Sequence, residues 1–268
     1  MKLKVSLAQI KVANAQPQKN LQKAEEYISE AAKRNSELIC FPEMFLTGFN
    51  WKFLDADKNN FETYIDALSS LAKKYKIWIN GSVPELTSNG KITNTSVLFS
   101  SDGSLAGRYS KIHLFSLLKE NKHLSPGNEI KIIDTSWGKA GMSICYDLRF
   151  PELFRTCALR GAKIQLLPSA WPYPRLEHYK ILIKARAIEN QNFIIAVNQV
   201  GDEKFSDDNT VTYFGSSVIV DPWGNIVIEA SEKEETLLTA EIDLDVIDEV
   251  RKKITVFSDR KPELYNPD

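Results

Sequence analysis

The stretch GMSICYDLRFPE, residues 141–152, predicts a β-strand that stops at Cys145 and a helix that begins at Pro151. A strand that stops at a cysteine exposes the sulfur at the carboxyl edge of a sheet, where α/β proteins bind their ligands. The helix points its unpaired N–H groups and the positive end of its dipole back toward Cys145. Both effects favour the thiolate, which is the reactive form of cysteine. We therefore expect Cys145 to be a nucleophile served by an adjacent base.

Outward from this stretch, strand and helix patterns alternate along the chain, which predicts an α/β fold. Residues 226–229 and 237–242 have the pattern of two strands paired in a hairpin. No linker or repeat divides the chain, so we expect one domain, residues 1–268, with a mixed sheet layered by helices and room for two stacked sheets. The predicted strands are 3–7, 37–41, 77–83, 93–100, 105–111, 130–134, 139–144, 164–168, 194–198 and 216–220, and the predicted helices are 21–34, 60–74, 151–160, 175–189 and 246–254.

Composition limits the classes of function. The 268 residues include 34 Lys plus Arg and 35 Asp plus Glu, so no overall field recruits nucleic acid or a membrane surface. A small neutral or locally captured ligand fits better. The three cysteines are an odd number without metal-ligand spacing, which indicates a reducing compartment. No stretch approaches the ~20 apolar residues of a membrane span. These features predict a cytoplasmic protein without a metal.

A base for Cys145 is expected at another strand end. Glu43 follows the predicted strand 37–41 directly, in FPEMF, residues 41–45. Apolar neighbours would partly desolvate its carboxylate, which suits a group that takes and returns a proton near neutrality. The alternative is a surface glutamate in a turn.

Two further polar residues stand at the end of the strand 105–111. Lys111 taken alone is most simply a solvated charge at a strand end. His113 is an alternative base, as in cysteine-histidine hydrolases. A histidine that only bonds to the loop backbone is the simpler interpretation. The surrounding residues 110–129 show little periodicity, and an irregular segment of this length predicts a functional loop.

Three motifs in this order resemble the carbon-nitrogen hydrolase (nitrilase) superfamily: FPE at 41–43, KIHLF at 111–115 and CYDLRFPE at 145–152. The resemblance implies a four-layer αββα sandwich with mixed sheets. It implies that Glu43 is a general base, Lys111 an electrophile and Cys145 a covalent nucleophile. Lys111 and the backbone N–H of Tyr146 would then hold the oxyanion that forms on an amide carbonyl.

Other residues acquire a role through the same resemblance. Glu120 matches the position of a second glutamate that orients the lysine or the substrate, although it could be a simple loop charge. Phe115, Arg149 and Trp171 are predicted to contact the substrate. Arg149 could clamp a carboxylate, or could instead fix its loop through an ion pair. Trp171 could equally be a buried structural tryptophan.

Less specific stretches, including LSPG at 124–127, AWP at 170–172 and ARAIENQ at 185–191, are most similar to the omega-amidase branch of that superfamily. This similarity implies hydrolysis of the ω-amide of a small 2-oxo acid such as 2-oxoglutaramate, without a cofactor, by a homodimer in which the helix 175–189 forms the interface. Nitrilases, N-carbamoyl hydrolases and other amidases with the same three residues stay open as alternatives. A non-catalytic scaffold that binds a metabolite is the alternative from another class.

Overall fold

The computed structural model describes residues 1–206 and 209–265, so the predicted domain, 1–268, includes a few residues outside the described ranges. Three 3₁₀-helices, Lys58–Asn60, Ser116–Leu118 and Cys145–Arg149, supplement the regular elements. The strands are β1 Lys2–Gln9, β2 Leu38–Cys40, β3 Trp78–Leu86, β4 Ile92–Phe99, β5 Leu105–Ser110, β6 Ile132–Thr135, β7 Gly138–Met142, β8 Ile164–Ser169, β9 Phe193–Asn198, β10 Val200–Ser206, β11 Asn209–Phe214, β12 Val218–Val220, β13 Ile226–Glu229 and β14 Thr236–Asp243. The α-helices are α1 Pro17–Lys33, α2 Trp51–Asp57, α3 Phe61–Tyr75, α4 Glu120–His123, α5 Pro151–Leu159, α6 Leu176–Asn190, α7 Asp245–Lys253, α8 Val256–Asp259 and α9 Pro262–Tyr265.

The strands form two six-stranded mixed sheets and one hairpin. The first sheet has the order β14-β1-β2-β3-β4-β5, and the second has the order β13-β12-β9-β8-β7-β6. In each sheet a parallel core, β1-β2-β3 or β7-β8-β9, is flanked by antiparallel strands. Strands β10 and β11 form a separate two-stranded sheet, and Tyr213 of β11 makes an isolated bridge with Pro172.

The side chains of the first sheet alternate between two apolar cores. Leu38 and Cys40 of β2 lie in a core shared with β7, β8 and β9 of the second sheet, whereas Ile39 lies in a core shared with α1 and α3. This is the period of two that a strand buried on both faces requires. Helices α5 and α6 cover the other face of the second sheet. The molecule is therefore a four-layer αββα sandwich, as predicted.

The helices predicted from apolar periodicity are confirmed to within a few residues as α1, α3, α5, α6 and α7. In α1, for example, Ala24, Ile28 and Ala31 are buried at helical spacing, and Pro17 occupies the first turn, where its missing N–H costs no hydrogen bond. No helix within the described ranges is long and apolar enough to cross a membrane.

The predicted hairpin between residues 226–229 and 237–242 is wrong. Strand β13 pairs with β12 in the second sheet, and β14 pairs with β1 in the first. The intervening segment carries the chain from one sheet to the other. Alternation of apolar and polar residues shows that two strands exist, but the pairing depends on distant segments that local sequence does not reveal.

The position of Cys145 also differs from the prediction. Strand β7 ends at Met142, and Cys145 opens the 3₁₀-helix Cys145–Arg149, so α5 begins only after a further turn of chain. The irregular segment 110–129 likewise contains the short helices Ser116–Leu118 and α4.

Several strands of the two sheets end at the same edge of the molecule. Strand β4 is antiparallel to β3, and β5 is antiparallel to β4, so β5 runs in the same direction as β3. Because β2 is parallel to β3, strands β2 and β5 end at the same edge. Glu43 follows β2, Lys111 follows β5 and Cys145 follows β7. Clefts at the carboxyl ends of parallel strands are the usual ligand sites of open α/β sheets.

Candidate active site

Glu43 is held by both sheets. Its carboxylate is buried, with Oε1 accepting a hydrogen bond from Nδ2 of Asn94 at 2.7 Å and Oε2 accepting one from the backbone N–H of Ala170 at 2.9 Å. Asn94 lies in β4 of the first sheet, and Ala170 directly follows β8 of the second. The interpretation of Glu43 as a surface residue in a turn is therefore excluded.

Lys111 lies beside this carboxylate and is fully buried. Its Nζ is 2.8 Å from Oε1 of Glu43 and 2.9 Å from both carboxylate oxygens of Glu120. Desolvation opposes the charged form of Lys111, but the two carboxylates outweigh it and raise the pKa of the amine well above its ordinary value. Lys111 is therefore an ammonium ion, and not a solvated surface charge.

Glu120 is the first residue of α4 and is also buried. Its Oε2 accepts a hydrogen bond from the backbone N–H of Phe115 at 2.9 Å. Burial raises the pKa of Glu120, Lys111 opposes that rise, and the negative charge of Glu43 adds to it. A simple loop charge would be exposed to water, so the structure favours the role of orienting Lys111.

The pKa of the Cys145 thiol is governed by burial and by neighbouring charges more than by a helix terminus. Cys145 has a left-handed backbone φ of +45° and is only 8% exposed. Burial and the negative charge of Glu43 raise the pKa of its thiol well above the ordinary value, although Lys111 opposes them. Burial and Glu43 therefore oppose the expected effect of the helix terminus, and a base is needed to take the proton from Sγ.

A pocket opens onto Cys145 and contains all the residues predicted to contact a substrate. Arg149 stacks on Trp171, with Cζ 4.9 Å from the ring centroid, and its Nη2 lies 3.3 Å from Nδ1 of His178. Trp171 is buried yet contributes to the wall, so its structural and pocket roles coexist. The lining consists of Phe49, Phe115, Leu118, Glu120, Cys145, Tyr146, Arg149, Ala170, Trp171, Pro172 and Arg175. Glu43 and Lys111 are absent from this lining and lie buried beneath it.

Sequence reasoning missed two residues of this region. Asn94 is a buried amide within a strand that is buried along its whole length, and such a polar group implies a specific partner. Arg175 precedes α6 and lines the pocket, with Cζ 5.6 Å from the centroid of Phe115. The signal for Asn94 was a polar residue in a strand pattern, whereas nothing in the local sequence distinguishes Arg175.

His113 belongs to a different network. Its Nδ1 lies 2.7 Å from Oδ1 of the buried Asp147, and its ring stacks on Phe150 with centroids 3.6 Å apart. Oδ2 of Asp147 accepts a hydrogen bond from the hydroxyl of Tyr109 at 2.8 Å. The interpretation that His113 only bonds to the loop backbone is wrong, because the partner of its ring nitrogen is this carboxylate.

The buried carboxylate of Glu203 supports the segment that follows Glu43. Glu203 accepts hydrogen bonds from the backbone N–H of Phe49 at 2.7 Å and from the hydroxyl of Tyr213 at 2.9 Å. Gly48 has a φ of +66°, and a Cβ there would overlap Oε1 of Glu203. Burial raises the pKa of Glu203 to about 7. The chain around Phe49 is thus fixed against β10 and β11.

The other cysteines are core residues. Cys40 and Cys157 are buried without a disulfide partner, and desolvation raises the pKa of both thiols, that of Cys157 to about 12. In the described part of the chain, no group of three or more His, Cys, Asp or Glu side chains is placed to hold a metal ion.

Comparison with known proteins identifies relatives along the whole chain. The family model of carbon-nitrogen hydrolases matches residues 4–252. A 2-oxoglutaramate amidase of Bacillus subtilis is 36% identical over 267 residues, which cover 99% of this chain and 100% of the relative. An omega-amidase of Xenopus laevis is 36% identical over 276 residues, covering 99% of this chain and 97% of the relative.

Solved structures show the same fold. A carbon-nitrogen hydrolase of Helicobacter pylori superposes with a TM-score of 0.94 at 29% identity, covering 99% of this chain and 98% of that one. A Saccharomyces cerevisiae member of branch 10 of the nitrilase superfamily superposes with a TM-score of 0.87 at 34% identity, covering 97% of each chain. The protein therefore belongs to the carbon-nitrogen hydrolase family of the nitrilase superfamily and is a hydrolase of carbon-nitrogen bonds.

Proposed function

We propose that Glu43, Lys111 and Cys145 hydrolyse the ω-amide of a small 2-oxo acid through a thioester on Cys145. The observation that carries this proposal is the fixation of Glu43, whose two carboxylate oxygens are bound by Asn94, Lys111 and Ala170 while its charge raises the pKa of the thiol. A base that is fixed in this way needs little reorganisation to accept the thiol proton.

The proposed reaction has two halves. Glu43 takes the proton of Sγ as the sulfur attacks the amide carbonyl, and the carbonyl oxygen becomes an oxyanion. Lys111 and the backbone N–H of Tyr146 stabilise this oxyanion, because Tyr146 is in the first turn of the 3₁₀-helix, where N–H groups have no partner within the helix. The carbon–nitrogen bond then breaks, and ammonia leaves with the proton from Glu43. In the second half, water gives a proton to Glu43, hydroxide attacks the thioester, and the acid leaves as Sγ regains its proton.

The substrate class rests on two supports. The relatives named above include a 2-oxoglutaramate amidase and an omega-amidase. Arg149 lines the pocket and makes no ion pair with a carboxylate within residues 1–206 and 209–265, which leaves its guanidinium fork for a substrate carboxylate. The structural alternative for Arg149 required an ion pair that fixes its loop.

A panel of substrates assayed for ammonia release tests this proposal. We expect 2-oxoglutaramate to be hydrolysed with a much higher kcat/KM than an aliphatic amide, an N-carbamoyl amino acid or an aliphatic nitrile. The Cys145→Ala variant should release no ammonia from any of them. A nitrile preferred over every amide would overturn the substrate class. Binding of substrate without any turnover by the wild-type protein would instead favour a non-catalytic scaffold.

We also propose that the protein is a cytoplasmic homodimer whose chain acts as one domain. Three unpaired cysteines favour a reducing compartment. Ile181 and Ile188 of α6 are 62% and 51% exposed and two helical turns apart, so they lie on one side of the helix and favour it as the interface. Light scattering of the wild-type protein and of an Ile181→Lys, Ile188→Lys double variant tests this: a dimer should become a monomer.

A further inference from the structure

We propose that Arg175 determines substrate specificity by giving the pocket a net positive charge, which selects an anionic 2-oxo acid amide over the corresponding zwitterionic amino acid. This inference rests on the proposed function, because it concerns the same pocket. It names a residue that lies outside the motifs at 41–43, 111–115 and 145–152.

Arg175 lines the pocket that contains Cys145, and its guanidinium lies over the ring of Phe115, another lining residue. Within the described ranges no carboxylate forms an ion pair with it, and its side chain donates no hydrogen bond to the protein. An arginine that stacks on an aromatic ring and keeps its five donors free is arranged to receive an anion.

The pocket lining contains three charged side chains, those of Glu120, Arg149 and Arg175. The positive charge of Arg149 equals the negative charge of Glu120. Arg175 therefore gives the lining its net positive charge. A cleft of one sign with apolar walls concentrates ligands of the opposite sign, and this pocket has walls such as Trp171.

Arg149 and Arg175 together discriminate between anionic substrates. A 2-oxo acid amide carries a carboxylate and a neutral carbonyl oxygen, and both accept hydrogen bonds from guanidinium groups. The corresponding amino acid carries an ammonium group at the same carbon. Two guanidinium groups repel that ammonium and cannot accept its protons, since arginine has no acceptor. The pair Arg149 and Arg175 thus disfavours amino acid amides as well as favouring 2-oxo acids.

Kinetics of Arg175→Gln test the inference. We expect KM for 2-oxoglutaramate to rise about tenfold to a hundredfold, the range for losing a hydrogen bond to a charged group, with kcat little changed. Both constants for pentanamide, a neutral amide of equal chain length, should stay within about twofold, because a neutral ligand does not gain from the charge. The ratio of kcat/KM for 2-oxoglutaramate to kcat/KM for glutamine should fall. Arg175→Lys keeps the positive charge, so its KM for 2-oxoglutaramate should lie between those of the wild type and of Arg175→Gln. Arg160→Gln removes one exposed positive charge at the end of α5 and should behave like the wild type.

A binding measurement separates this inference from the proposed function. Calorimetry of 2-oxoglutarate binding to the Cys145→Ala protein, with and without Arg175→Gln, needs no turnover. A tenfold or larger increase in Kd supports the inference, even where the wild-type enzyme prefers a different amide and the proposed function fails. Equal affinities in the two proteins, or no binding to either, would overturn it. Equal losses of kcat/KM on 2-oxoglutaramate and pentanamide would also overturn it, because they would show a general structural role.

Discussion

Nδ1 of His113 lies 2.7 Å from Oδ1 of Asp147, a buried carboxylate whose other oxygen also accepts a hydrogen bond from the backbone N–H of Ile144 at 2.8 Å. This contact ties the loop after Lys111 to the turn that carries Cys145. The imidazole is thereby oriented toward Asp147, and its ring is stacked on Phe150. His113 therefore joins two loops of the site, whereas Glu43 faces the ammonium of Lys111.

The first prediction compares the two rival bases. Glu43→Gln should lower kcat by a factor of hundreds or more, because the amide cannot accept the thiol proton. His113→Asn should lower kcat by less than about tenfold, since an asparagine can still donate to Asp147. Steady-state kinetics measure both, after circular dichroism has shown that each variant is folded. The reverse ranking would make the protein a cysteine-histidine hydrolase.

The second prediction concerns the reactivity of Cys145. Burial and Glu43 raise the pKa of its thiol while Lys111 lowers it, and Glu43 can accept the thiol proton as the sulfur reacts. We expect iodoacetamide at pH 7 to add one label per wild-type chain, located on Cys145 by mass spectrometry and blocked by substrate. Cys40 and Cys157 are buried with raised pKa values and serve as internal controls. Labelling of Cys40 or Cys157 in preference to Cys145 would contradict the assignment of Cys145 as the nucleophile.

The third prediction concerns Asn94, which binds Oε1 of Glu43 at 2.7 Å. Asn94→Ala should lower kcat about tenfold or more, because a lost hydrogen bond to a charged group costs about 1.5–3 kcal/mol. KM should change little, since Asn94 is absent from the pocket lining. Asn89→Ala, in the exposed turn between β3 and β4, is the matched control and should leave kcat unchanged. A rise in KM with unchanged kcat would show that Asn94 acts on the substrate and not on Glu43.

The fourth prediction concerns the pH dependence of stability. Burial raises the pKa of Glu203 from 4.5 to about 7, so between these values the folded state holds a proton that the unfolded state has released. The contribution of Glu203 is therefore fully present below about pH 4.5 and is lost as the pH rises through about 7. Since one pKa unit corresponds to about 1.4 kcal/mol, the loss is on the order of 3 kcal/mol.

Urea unfolding at a series of pH values measures this effect. Glu203→Gln keeps an oxygen that accepts from the backbone N–H of Phe49 but does not titrate. The free energy of unfolding of the wild type should therefore fall, relative to that of the variant, between pH 4.5 and pH 7. Parallel curves for the two proteins would show that Glu203 does not titrate in this range. A rise in the free energy of unfolding of the wild type, relative to that of the variant, between pH 4.5 and pH 7 would contradict the direction of the shift.

Local sequence was sufficient wherever a pattern repeats at short range. The burial of β2 on both faces and the apolar stripe of α1 follow from periods of 2 and 3.6 residues, so these helices and strands were predictable. The four-layer arrangement was expected only from the resemblance to a known family. The positions of Glu43 and Lys111 just after strands were predictable for the same reason. Their juxtaposition was expected only through the resemblance to a known family.

The sequence by itself determined the order of helices and strands, the residue types at the strand ends and the family, because these depend on neighbours along the chain. Only the tertiary structure decided the partner of β13, the network of His113, the place of Arg175 in the pocket and the raised pKa of Cys145. Each of these depends on segments far apart in sequence. The pKa of a buried group in particular is set by its loss of water and by charges that folding brings within a few ångströms. For Cys145 those charges belong to Glu43 and Lys111, which no local pattern around residue 145 contains.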